Sequence, residues 1–137
     1  MQAYLLVAIG GALGSMLRHW LSVTFHEFDI DLFPFELMPS NFPWATLGIN
    51  VSGSLLIGFI ANLPVEYISR DARLFFMTGV LGGYTTFSSF SLQTLNLLRD
   101  REWLYAGGNV ILSVVLCMIA VWLGWLLGDM FNSMKGN

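Results

Sequence analysis

Residues 79–91 read GVLGGYTTFSSFS and lie inside a run, 74–98, that carries no Asp, Glu, Lys, Arg or His. Gly79, Gly82 and Gly83, with the hydroxyls of Thr85, Thr86, Ser88, Ser89 and Ser91, surround Phe87 and Phe90. A plain apolar span has no packing need for that mixture. In lipid a helix is broken only where the freed backbone groups are buried in protein or line a wet cavity. The stretch therefore reads as a membrane helix broken near 82–86 that carries a site. The competing reading is that its glycines only let two helices cross closely.

The rest of the chain supplies the setting. Its 137 residues are 55% hydrophobic and 11% charged, with a mean hydropathy of +0.67. Soluble domains are about 25% charged, so an all-α membrane protein is expected. Four spans can be drawn, over 3–25, 44–63, 74–98 and 103–127, each meeting the roughly 20-residue requirement for crossing a bilayer. Little is left for a soluble domain, so residues 1–137 read as one four-helix transmembrane unit. No Lys or Arg precedes the first span, against a secretory signal. The lone Cys117 excludes an intrachain disulfide or a cysteine-cluster metal site. A net charge of −3 argues against a nucleic-acid partner.

With four spans, both termini and the 64–73 loop share one side of the membrane. That side carries Arg70, Arg73 and Lys135, and the other carries Arg99 and Arg101, with Arg18 near the end of the first span. The Lys/Arg bias that orients membrane proteins is nearly tied. Either a few flanking residues decide the orientation weakly, or the chain inserts both ways.

The first span holds Gly10 and Gly14 as G-x-x-x-G, a spacing for close helix packing. Arg18 is costly inside a bilayer unless it snorkels or faces a watery vestibule. The second span places Thr46, Asn50, Ser54 and Gly58 at successive i+4 positions, one helix stripe. The fourth repeats the pattern with Asn109, Ser113 and Cys117, followed by Gly124 and Gly128. Between the first two spans, 26–43 is rich in acids and aromatics and reads as an interfacial helix or a connector. Pro64 marks a helix stop, and the charges of 64–73 read as a solvated face. The short charged link 99–102 makes the third and fourth spans antiparallel neighbours.

Amide, hydroxyl and aromatic-edge hydrogens can together replace part of the water around a small anion. No carboxylate lies within the four apolar runs, so a proton antiporter has no evident relay. Neutral, weak donors suit conduction, because an ion held too tightly cannot leave. A break at 82–86 would also free carbonyls, which suit a cation, and open the N-terminus of the next half-helix, which favours an anion.

The segments GGALGSMLRH at 10–19, ATLGINVSGSLLIG at 45–58, GVLGGYTTFSSFS at 79–91 and NVILS at 109–113 resemble the Fluc/CrcB fluoride channels, one motif per span and in order. The resemblance implies a passive, fluoride-selective channel of the inner membrane, built as an antiparallel, dual-topology homodimer with two pores. It implies that Asn50 donates to fluoride, that Phe87 and Phe90 turn ring edges to it, and that Ser113 belongs to a polar track. Thr46, Thr86, Ser88 and Arg18 join that pathway, with Arg18 near its aqueous mouth. Carbonyls of Gly82 and Thr85 from both subunits would hold a structural sodium ion on the two-fold axis. The chain departs from the commonest pattern at Gln93 (often Glu), Ser89 (Thr), Ala45 (Gly) and Asn109 (a place that can be Tyr).

Two other classes compete. A small four-helix multidrug exporter needs a membrane-embedded acid, and the first span carries Arg18 instead. A non-transporting adaptor would use the glycines and Asn50 only to assemble helices. An intramembrane serine hydrolase lacks a base, since His19 and His26 lie at or beyond one end of the first span.

Overall fold

The structure, a computed structural model, describes residues 1–27 and 42–135, and every element among them is helical. The connector expected at 26–43 lies largely outside the described residues. Helix α1 (Gln2–Glu27) and α2 (Trp44–Asn62) are followed by a helical turn, α3 (Arg70–Arg73). A π-helical segment (Leu74–Leu81) then runs into α4 (Gly82–Tyr84), and α5 (Phe87–Arg99) and α6 (Trp103–Lys135) complete the chain. Three helices are long and apolar enough to cross a bilayer, those at 2–25, 44–62 and 103–134. The run 74–98 is divided, as its composition predicts. The first half ends at Tyr84, Thr85 and Thr86 are extended (ψ 156° and 118°), and α5 restarts at Phe87.

Two seams join these helices, and both are made of small residues. A methyl group placed on Gly10 would stand 2.6 Å from the Phe75 carbonyl oxygen and 3.0 Å from the Gly79 Cα. One on Gly14 would collide with the Val80 carbonyl, and one on Gly83 would come within 3.0 Å of the Gly11 Cα. Backbone thus lies against backbone between α1 and the first half of the third span. The G-x-x-x-G spacing predicts that use. The second seam joins α2 to α6, where a methyl on Gly58 would meet the Val121 carbonyl and one on Gly124 the Leu55 carbonyl. Ile49, Leu81 and Tyr84 form the small buried cluster between the two seams.

Three local features differ from the sequence reading. Helix α6 has 33 residues, about 50 Å at the usual rise and longer than the roughly 30 Å hydrocarbon core. Its last two turns continue because they pack on the end of α2. Asn132 donates to the Asn62 carbonyl at 2.9 Å, and Phe131 meets Phe59 and Tyr67 edge-on. Arg73 is not simply solvated: it donates to the carbonyls of Ala61 and Leu63, the open end of α2. A cation there satisfies orphan carbonyls and opposes the negative helix terminus. The segment before the break is π-helical, a form that is rare and frequent at functional sites.

The turn between α5 and α6 explains their antiparallel pairing. Glu102 N–H bonds the Leu97 carbonyl (2.8 Å) and Arg101 N–H the Leu98 carbonyl (3.1 Å), with Arg101 at φ 64°. This is the Schellman closure, with arginine where glycine is the usual residue.

Candidate functional site: a neutral groove beside a broken helix

The break is held by side chains from two directions. On the α2 side, the Asn50 amide nitrogen donates to the Thr86 carbonyl (3.1 Å) and its oxygen accepts from Thr86 N–H (2.9 Å). One side chain therefore satisfies both backbone groups of a residue that belongs to neither half-helix, as a low-dielectric site demands. Two residues along α2, the Ser52 hydroxyl donates to the Ile49 carbonyl (3.0 Å), which leaves its oxygen to accept from the Tyr84 phenol at 2.9 Å. On the α1 side, the Gly83 carbonyl has lost its continuing helix and accepts instead from Arg18 Nε (3.1 Å) and Ser15 Oγ (3.4 Å). Thr86 caps the restarted helix: its hydroxyl oxygen accepts from Ser89 N–H at 3.2 Å.

Beside the break lies an open groove of about 470 Å³. Asn50, Gly53, Ser54 and Ile57 of α2 form one wall, and Ser113, Val114, Cys117 and Met118 of α6 another. Met77, Leu81, Gly82, Thr85, Thr86, Phe87 and Phe90 of the third span complete it, and none of its lining residues is charged. The rings of Phe87 and Phe90 are 5.2 Å apart at 49°, and Phe87 is 79% exposed at the rim. Gly53 keeps the wall thin, since a methyl there would stand 3.3 Å from the Tyr84 ring and run into the Thr85 side chain.

Of the residues singled out from sequence, Asn50, Thr86, Phe87, Phe90 and Ser113 share this groove, together with Gly82 and Thr85. Thr46 is buried and stands outside it. Ser88 lies exposed beside the Thr86 hydroxyl at 3.2 Å, and Arg18 reaches the break from the opposite side, through Gly83. Among the described residues no group of three His, Cys, Asp or Glu gathers as a metal site.

Three participants escaped the sequence reading of the site. Tyr84 and Ser52 look like ordinary span residues until the break sets their rings and hydroxyls together. Asn109, 1% exposed, is bonded to Thr94 across the α5–α6 hairpin as well as to Ser113 on its own helix. Its place on the Ser113 stripe was legible; its partner on another helix was not.

Three helices able to cross a bilayer, with a broken helix and an uncharged groove packed between them, define a membrane protein of the all-helical class. The chain belongs to the CrcB family: the family model described as "CrcB-like protein, Camphor Resistance (CrcB)" matches residues 5–125. It is accordingly a channel-family member and not an enzyme. Similar proteins include one from Opitutus terrae, 51% identical over the whole of both chains. Another, from Methylocella silvestris, is 49% identical over 97% of this chain and 98% of its own. A third, from Rhodospirillum rubrum, is 53% identical over 94% and 96%. Each of the three bears the name fluoride-specific ion channel FluC.

Proposed function

We propose that this chain is a passive, fluoride-selective channel that releases fluoride from the cytoplasm, acting as an antiparallel homodimer of four-helix subunits in the inner membrane. The observation that carries the proposal is the shared, uncharged groove of Asn50, Ser113, Phe87 and Phe90 beside the broken helix. The relatives' names supply the ion. Hydrogen fluoride crosses lipid as a neutral molecule and dissociates inside, leaving an anion that needs a path out.

Fluoride must shed water to pass. Amide N–H, hydroxyl O–H and the electropositive edges of the two phenylalanine rings replace part of that water. The half-helix α5 begins in the same wall, at Thr86 and Phe87, and its N-terminal end favours an anion. Neutral donors bind weakly enough for release. The groove is open at Phe87, and in this reading an inverted second copy closes it and doubles it into two pores. Thr46, Ser88 and Arg18 then serve as supports or approaches to the pathway rather than as its walls.

The residues present also suit a structural sodium ion on the dimer axis. In an unbroken helix the Gly82 carbonyl would accept from Thr86 N–H and the Thr85 carbonyl from Ser89 N–H. Those donors are diverted to Asn50 and to the Thr86 hydroxyl. Two carbonyl oxygens so released, met by two more from the partner, would form a neutral oxygen cage of the kind that takes a cation. Replacing sodium with a bulky organic cation should then lower the melting temperature of the purified dimer. An unchanged melt would remove the ion from the account.

Liposomes loaded with fluoride and followed by a fluoride electrode test the function. Efflux should exceed that of protein-free vesicles and should fall at least tenfold in Phe87→Ile or Phe90→Ile, whose rings are replaced by aliphatic groups without a polar edge. Wild-type vesicles no leakier than empty ones would sink the proposal. Undiminished flux in both variants would remove the rings from it.

A further inference from the structure

Several helical hydroxyls of this protein share a habit that Ser113, like Ser15 and Ser52, does not follow. Ser22, Thr24, Ser91, Thr94 and Ser133 each donate to the carbonyl four residues back, at 2.8–3.0 Å. That is the default bond of Ser and Thr inside helices. Ser113 instead donates to the side-chain oxygen of Asn109, four residues back, at 3.4 Å. At that length the bond is weak, and Ser113 lines the groove.

The Asn109 amide is turned this way by a third residue. The single hydroxyl proton of Thr94 goes to the Phe90 carbonyl at 2.8 Å, so Thr94 can only accept from Asn109. The Asn109 nitrogen donates to it at 2.8 Å, which leaves the amide oxygen for Ser113. At 1% exposure, water does not compete for either group.

We infer that Asn109 is a positioning residue for the pore. Held by Thr94, it offers the Ser113 hydroxyl a long, easily surrendered bond in place of the short one to its own helix. Ser113 is thereby kept ready to swing its proton onto an anion entering the groove and to take it back when the ion leaves. The inference rests on the proposed fluoride conduction and assigns a role to a residue outside the groove wall.

The experiment is a flux cycle in liposomes with wild type, Asn109→Leu, Ser113→Ala and the double variant, read against fluoride concentration. In Asn109→Leu the Ser113 hydroxyl closes on its own helix, and flux at low fluoride should fall about fivefold, the equivalent of one hydrogen bond's net worth of about 1 kcal/mol. On the Ser113→Ala background the same substitution should change flux little, because the group it positions is gone. A residue that merely packs the α5–α6 hairpin would lower flux by the same factor in both backgrounds, which would overturn the inference. So would full flux in Asn109→Leu. Should Asn109→Leu fail to yield folded protein, Thr94→Val loosens the amide from the other end. It should give a smaller fall that again vanishes with Ser113→Ala, and an equal fall in both backgrounds would count against the role. Wild type without fluoride flux would bring down the functional proposal and this inference together, whereas intact wild-type flux with an additive cycle defeats only the inference.

Discussion

The seams and the broken span are joined by opposite means. Along α1 and the π-helical segment, and along α2 and α6, glycines bring backbone against backbone, so that close packing does the holding. Lipid is as apolar as any side chain, and dispersion between close surfaces is what remains to bind helices there. At the break there is no such surface. Thr85 and Thr86 are extended, and Asn50, Tyr84, Arg18 and Ser15 hold them or their neighbours through hydrogen bonds. A packed seam tolerates no extra atom. A hydrogen-bonded joint tolerates shape change but not the loss of a donor or acceptor. The groove sits on the second kind of joint, where polar groups can be shared with an ion.

The largest expected effect tests the packed side of this contrast. Gly14→Val drives a side chain into the Val80 carbonyl and the Tyr84 amide, which are backbone and cannot rotate away. It should cost more than about 3 kcal/mol and leave little monodisperse protein after detergent extraction. Normal yield and melting would show that the seam is slack.

Asn50→Ala tests the other side. It removes the Asn50 partner from both backbone groups of Thr86 and should destabilise by roughly 2 kcal/mol, at about 1 kcal/mol for each part-buried group left unpaired. The protein should still assemble, with a lower melting temperature and lost flux. A melt equal to wild type would mean that Thr86 finds other partners and that the clamp is dispensable.

The smallest effect concerns the turn that sets α5 against α6. Arg101 holds φ 64°, a left-handed conformation that costs a non-glycine residue about 1–2 kcal/mol. Arg101→Gly should therefore raise the melting temperature modestly, by the equivalent of about 1 kcal/mol after the entropy cost of glycine, with flux unchanged. A lower melt would show that the arginine side chain contributes more than its backbone loses.

Much of this was legible in the sequence because membrane physics leaves few choices. Helices are forced by the need to satisfy backbone groups, and their positions follow from hydropathy. The break was legible because glycines and hydroxyls crowd a stretch that lipid would not ask for. Asn50 and the phenylalanine pair were legible as a set, and they do share one groove. The missed elements depend on register between helices. That Arg73 would reach back to the end of α2 depends on how the 64–69 turn folds. That Asn109 would find Thr94 depends on the closure at Arg101. The π-helical turns before the break left no periodic signal, since the stretch is apolar on every side. The eight residues added to α6 lay beyond the hydrophobic window, and they are helical because Asn132 and Phe131 pack on α2 and Tyr67 rather than because lipid requires it.

The proposed function requires that a small anion be recognised by a wall without charge. Parallel efflux of fluoride and chloride from liposomes bearing the wild-type protein tests it most directly. Under the proposed function fluoride should leave rapidly while chloride is retained as in protein-free vesicles. Chloride leaving as fast as fluoride would contradict it.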